Sequence, residues 1–150
     1  MIRFFRLFLI ITGLFAGGFS CGQISLGPGA TPNDAAPSGT IIYQGDFKGL
    51  NGRAVSGVVS VYRTSSNGST STCVVRLQGI STPQESGLKV SVVVNGVPPS
   101  SQPGYALRSS SGTQNYTFTS VPTSAAWTQV AIHSDPNNVD YGVADLSAIQ

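Results

Sequence analysis

The sequence predicts an all-β domain, an antiparallel β-sandwich of about eight short strands. Three observations point there. Apolar and polar side chains alternate over short runs between Tyr43 and Leu146, the period of a half-buried strand. Clusters of Gly, Pro, Asn and Ser interrupt those runs, and the chain carries 18 glycines, a ready supply of turns. Only 9% of residues are charged, against about a quarter in ordinary domains, and no long amphipathic helical pattern is present. A small barrel is the other architecture that suits the pattern.

The elements follow in order. Thr40 to Phe47 reads as a first strand, with Ile41, Ile42, Tyr43 and Phe47 as its apolar content, and Gly49, Asn51 and Gly52 turn the chain after it. Val55 to Tyr62 puts Val55, Gly57, Val59 and Val61 on one face. Thr64 to Ser71 reads as a polar loop around Asn67 and Gly68. Thr72 to Ile80 groups Cys73, Val75 and Leu77, and Leu88 to Asn95 groups Leu88, Val90, Val92 and Val94. Gly104 to Arg108 is a short edge strand, Ser109 to Thr113 a loop, and Asn115 to Thr119 a strand with Tyr116 and Phe118 inward. Trp127 to Leu146 closes the domain as a hairpin. Val130 and Ile132 share one face and Gln129, Ala131 and His133 the other. Asp135, Pro136, Asn137 and Asn138 supply the turn.

Ahead of the domain, residues 1–20 have the layout of a secretory signal: Arg3 and Arg6, then an uncharged apolar run from Leu7 to Phe19. That run is short for a bilayer span, which takes about 20 apolar residues. Residues 21–39 contain Gly27, Pro28, Gly29, Pro32 and Pro37 with few large apolar groups, the composition of a flexible linker. The domain then occupies 40–150. Without Arg3 and Arg6 the six remaining basic residues balance six acidic ones. Nucleic-acid binding needs a clustered positive field, so that class is set aside.

The segment Gly18-Phe19-Ser20-Cys21-Gly22 resembles the lipobox of bacterial lipoproteins. There the cysteine is acylated, in the manner of a palmitate anchor, and becomes the mature N-terminus. The resemblance implies lipidation at Cys21, a membrane partner through that anchor, and a place in the cell envelope. Gly22 resembles the residue of lipoproteins sent on to an outer membrane. Gly18 departs from the usual Leu. Without lipidation, a Cys21–Cys73 disulfide is open in an oxidising compartment.

The candidate chemistry is sparse. His133, the single histidine, and Cys73 are the candidate redox or ligand residues. A structural zinc site takes about four N, S or O ligands, which this chain does not cluster in sequence, so neither metal nor cofactor is expected. His133 reads as a surface strand residue, and Cys73 as a buried, inert thiol in phase with Val75 and Leu77. Ser134, His133 and Asp135 cannot converge as a triad, because strand neighbours point to opposite faces. Tyr105 and Trp127 are the candidate binding surface: Trp127 stands beside a loop, where an aromatic ring is open to a sugar or peptide. Tyr116 reads as core.

Gly45-Asp46-Phe47, Ser56-Gly57, Val75, Leu77 and Ile80, then Leu88, Val90 and Val92, then Gly112-Thr113-Gln114-Asn115-Tyr116, and finally Tyr141-Gly142-Val143-Ala144-Asp145-Leu146 together resemble the DM13 domain, a small all-β module of exported proteins. The resemblance spans about Tyr43 to Leu146. It implies a redox or electron-transfer role through a cysteine, as a free thiol or by holding a group such as haem. Here Arg53 stands where that family has its early histidine and His133 where it has its cysteine, so the role does not carry over residue by residue. The sequence therefore points to an exported, non-catalytic binding or structural module meeting a protein or small ligand in the cell envelope. A redox module using Cys73 or His133 is the alternative.

Overall fold

The computed structural model describes residues 31–95 and 104–150. The expected signal sequence, Cys21 and the first part of the expected linker lie outside the described residues. The chain is all-β. Its strands are β1 (Thr40–Gly49), β2 (Ser56–Asn67), β3 (Thr70–Ser81), β4 (Leu88–Val94), β5 (Tyr105–Ala106), β6 (Ser111–Pro122), β7 (Trp127–Ser134), β8 (Val139–Asp145) and β9 (Ser147–Ala148). They form one antiparallel sheet in the order β5-β4-β7-β8-β1-β2-β3-β6, with β9 beside β1. The sheet folds over on itself until its two ends, β5 and β6, nearly meet, giving a sandwich-like body.

β1 makes the corner. Its first part pairs with β2, from Thr40 opposite Arg63 to Asp46 opposite Val58. Its last residues cross to β8, with Phe47 opposite Ala144 and Gly49 opposite Gly142. The crossing brings backbones close together. A Cβ on Gly45 would stand 2.2 Å from the Asp145 carbonyl oxygen, and one on Gly142 would stand 2.7 Å from the Val55 side chain. Only glycine fits at either place.

Inside the fold, Val59, Val61, Cys73, Val75 and Leu77 from one half face Val90, Val92, Val130, Ile132 and Tyr141 from the other. Removing this alternating apolar face from water is the main favourable term in folding.

Three strand assignments differ from the sequence reading. The stretch read as a polar loop over Thr64 to Ser71 is a continuation of β2 and β3. They pair as far as Asn67 opposite Thr70 and turn over Gly68 and Ser69. This extension is polar on both faces, so it carries no apolar alternation to read. β6 begins at Ser111, inside the stretch read as a loop. β7, read as half-exposed, buries Ala131 and His133 as well as Val130 and Ile132. It is a central strand, with Ala131 flanked by Ser91 and Val143, and His133 by Lys89 and Asp140. Strands on both sides flank its outward face, and Lys89 reaches along it to pair with Asp135.

Part of the stretch read as a flexible linker is docked. Thr113 N–H donates to the Pro32 carbonyl at 2.7 Å and Asp34 N–H to the Thr113 carbonyl at 3.0 Å, with Asn33 bridged to Thr113 in parallel. Arg76 lies buried behind this segment and donates from Nη1 to the carbonyls of Asp34 (2.9 Å) and Ala35 (2.7 Å).

Candidate ligand-binding groove

The two ends of the sheet meet at a seam of aromatic side chains. Tyr105 stands on β5, a short strand that among the described residues pairs with Lys89 and Val90 of β4. With one partner and two residues it is a sheet edge, and Tyr105 is 42% exposed. Its ring meets Phe118 edge to face at a centroid distance of 4.9 Å, and Phe118 in turn meets Trp127 edge to face at 6.0 Å. This T-shaped geometry is the one aromatic quadrupoles favour. A file of rings thus runs from solvent at Tyr105 into the core at Trp127. The Tyr105 hydroxyl donates to the Thr117 carbonyl at 2.5 Å.

Beside this file lies an open groove of about 350 Å³, lined by Val92, Val94, Tyr105, Phe118, Val121 and Trp127 and rimmed by Thr119 and Ser120. Its volume is within the range of small-ligand sites, and its mix of apolar walls with a few polar groups is typical of them. Larger or more polar depressions elsewhere offer less to a ligand. One over Gln44, Asp46, Lys48 and Asp145 is lined by a mixed-charge surface.

Trp127 is at the groove's inner end but is only 3% exposed, not the open loop-side ring that the sequence suggests. The reason is a register shift. Val93 pairs with Gln129 and Val94 with Trp127, so Thr128 is an extra residue in β7. The bulge moves Trp127 from the Gln129 face onto the core face. Tyr105 keeps its expected exposure, and Tyr116 is buried as expected.

A second set of groups closes the seam on the side away from the groove. The Tyr116 hydroxyl accepts from Arg108 N–H at 3.1 Å and donates to Gln114 Oε1 at 2.7 Å. Burial pushes the Tyr116 phenol up, against a smaller opposing pull from Arg108. Arg108 also forms an ion pair with Asp34, whose carboxylate accepts from Asn115 N–H at 2.8 Å. Burial alone would raise the Asp34 carboxyl; the Arg108 guanidinium, the Asn115 N–H and the charge of Arg76 outweigh it and hold Asp34 below the usual carboxylate range. The Arg108 guanidinium loses ground to burial but is raised by Asp34.

His133, read as a surface residue, is 7% exposed. Nδ1 lies 2.8 Å from Asp140 Oδ1, and Nε2 lies 4.0 Å from Asp135 Oδ1, itself paired with Lys89. The two carboxylates sit on opposite nitrogens of the ring and do not converge on one point. Ser134 turns the other way, into the interior, where its Oγ accepts from Asn137 at 3.1 Å. Cys73 faces the core from β3, is 1% exposed, and has Ser71 Oγ at 3.6 Å. The structure therefore places Cys73 and His133 on opposite sides of their strands, one inward and one outward. Cys21 lies outside the described residues.

Sequence reasoning misses one further cluster. Tyr141, fully buried, donates its hydroxyl to Glu85 and accepts from Asn137 Nδ2 at 2.9 Å. Arg53 lies over the Tyr141 ring at 4.6 Å and pairs with Glu85 at 3.1 Å. Arg53, Glu85 and Tyr141 are far apart in sequence, on elements that look unrelated. They pin the Ser81–Gly87 connection to the closing hairpin, a part-buried network centred on the buried Tyr141 hydroxyl.

Comparison with protein-family models, with curated proteins and with solved structures gives no match.

Proposed function

We propose that this chain is an exported, lipid-anchored module of the cell envelope that binds a partner or small ligand without catalysis, through the groove beside Tyr105. The observation that carries the reading is the exposed ring of Tyr105 standing over an open apolar groove that ends at Trp127. An exposed aromatic edge on a rigid sheet offers contact area at little conformational-entropy loss. A DM13-like domain assignment rests on the ordered motifs from Gly45 to Leu146, and two of their glycines, Gly45 and Gly142, have a steric reason to be there. Export and anchoring rest on the charged start, the apolar run and Cys21.

Two experiments test this. Trp127 is the single tryptophan, so its emission reports on the groove directly. Titration with an apolar dye, with short glycans and with short peptides should give a saturable change in Trp127 emission with at least one class. No change with any of them contradicts the groove as a binding site. Separately, an intact mass of the protein extracted from membranes should show acyl chains on Cys21. An unmodified N-terminal cysteine, or cleavage elsewhere, contradicts the anchor.

A further inference from the structure

The chain contains three Asn–Gly pairs, Asn51-Gly52, Asn67-Gly68 and Asn95-Gly96. In such a pair no Cβ shields the second residue's amide nitrogen from the asparagine carboxamide. The fold treats the pairs differently. Asn51 and Gly52 both take positive φ, 52° and 71°, in a turn of the I′ kind. Asn51 Nδ2 donates to the Asp140 carbonyl at 3.0 Å, and Leu50 N–H to the Tyr141 carbonyl at 2.8 Å. That carboxamide is held on backbone, and its turn is sewn to β8. Asn95 Oδ1 accepts from Ala126 N–H at 3.0 Å; Gly96 lies outside the described residues.

Asn67 and Gly68 stand at the tip of the β2–β3 ladder, and both are exposed. Asn67 pairs with Thr70 across a turn that opens with Gly68 at φ 60°, the place a II′ turn gives to glycine. The far half of the turn is held, since the Ser69 carbonyl accepts from Thr123 N–H at 2.9 Å. The near half is not. Among the described residues the Asn67 carboxamide and the Gly68 N–H have no hydrogen-bond partner. Every residue from Thr64 to Thr70 is exposed, so little apolar burial keeps this end of the ladder closed. Such an end opens locally at small cost, and opening frees the backbone of Asn67 to turn its carboxamide onto the next nitrogen.

We propose that Asn67 is a site of spontaneous deamidation. The modification needs no enzyme, and water is its only co-reactant. Hydroxide removes the Gly68 N–H proton and the nitrogen bonds to Asn67 Cγ. The Cγ–Nδ2 bond breaks as Nδ2 takes a proton from water and leaves as ammonia. A five-membered cyclic imide remains. Water then adds to one of its two carbonyls and opens the ring. One opening gives aspartate, the other isoaspartate, and nothing is oxidised or reduced. Either product places a carboxylate on a tip that carries no charge from Thr64 to Val75. Isoaspartate also lengthens the main chain by a methylene, which breaks the Asn67–Thr70 register. The inference is independent of the groove and of the lipid anchor.

The test incubates the purified full-length chain at mildly alkaline pH, once folded and once in urea, and follows both by tryptic digestion. Cleavage after Lys48, Arg53, Arg63 and Arg76 puts Asn51 and Asn67 in separate peptides, Gly49–Arg53 and Thr64–Arg76. Conversion is read as a gain of one mass unit, with isoaspartate separated by chromatography. A digest at zero time corrects for conversion during handling. In urea the two sites should convert within about threefold of each other, and in the folded chain Asn67 should convert at least about tenfold faster than Asn51. Asn67→Gln lengthens the electrophile and should abolish conversion in Thr64–Arg76 while leaving Gly49–Arg53 unchanged. Equal folded-state rates, a faster Asn51, or an Asn67 that stays intact in the folded chain while the urea sample converts would each overturn the proposal. Aspartate at position 67 without isoaspartate would overturn the imide route.

Discussion

Tyr105 donates its hydroxyl to the Thr117 carbonyl at 2.5 Å, and through that contact the two ends of the sheet are tied together. β5 and β6 share no ladder, so the body is closed at this point by a side chain instead of by backbone pairing.

Loss of that tie should be measurable. Tyr105→Phe removes one half-exposed hydrogen bond and should lower unfolding free energy by about 0.5–1.5 kcal/mol. Tyr105→Ala also removes the edge-to-face contact with Phe118, worth about 0.5–1.5 kcal/mol more. Urea denaturation of the three proteins under identical conditions checks both values. Equal stabilities would show that the seam holds without Tyr105.

Burial of Trp127 makes a spectroscopic prediction. In the free protein its emission should be blue-shifted and iodide should quench it weakly, with both properties lost on unfolding. Trp127→Ala should cost about 3–5 kcal/mol, the range for truncating a buried large aromatic. Strong quenching in the native state would mean that the Thr128 bulge is absent.

The Asp34 latch predicts an acid-sensitive element. The folded-state carboxyl lies below its ordinary value of 3.8, so the folded state favours the ionised form. Its stabilisation is fully present above the unfolded-state value and is lost as pH falls through the lower, folded value. Asp34→Asn should therefore lower stability at neutral pH and flatten the loss of stability below about pH 4. With the Arg108 side chain 45% exposed, the effect should be at most about 1 kcal/mol. A variant as stable as the parent at pH 7, with the same acid slope, would contradict the latch.

Cys73 should be silent to thiol reagents in the native state, since it is 1% exposed. Its labelling rate should track global unfolding and rise with denaturant. Rapid labelling in water by an anionic disulfide reagent would put an accessible thiol where the core is described.

What is legible in the sequence follows from what alternation can report. β1, β4 and β7 are readable because Phe47, Val90, Val92, Val130 and Ile132 alternate with their neighbours along the strand, and that face is the core. The all-β class and the inward Cys73 and Tyr116 come from the same signal. The polar ladder from Arg63 to Thr72 is not readable, because it carries no apolar side chain on either face. The Thr128 bulge is invisible for a different reason: one inserted residue reverses a face without changing composition. His133 reads as exposed because its burial depends on Lys89 and Asp140, which belong to neighbouring strands. Asp34 and Arg108 are 74 residues apart, and nothing local marks either as the other's partner. At the candidate site, Tyr105 is legible as an exposed aromatic, but its reach to Thr117 is a property of sheet closure alone.

Whether the groove beside Tyr105 is where this protein engages its ligand is tested most directly by one dissociation constant. It is read from Trp127 emission with one groove ligand, for the parent chain and for Tyr105→Ala. Loss of the exposed ring should weaken binding at least tenfold, about 1.4 kcal/mol. Equal affinities, with Tyr105→Ala shown to be folded, would contradict the groove as the binding site.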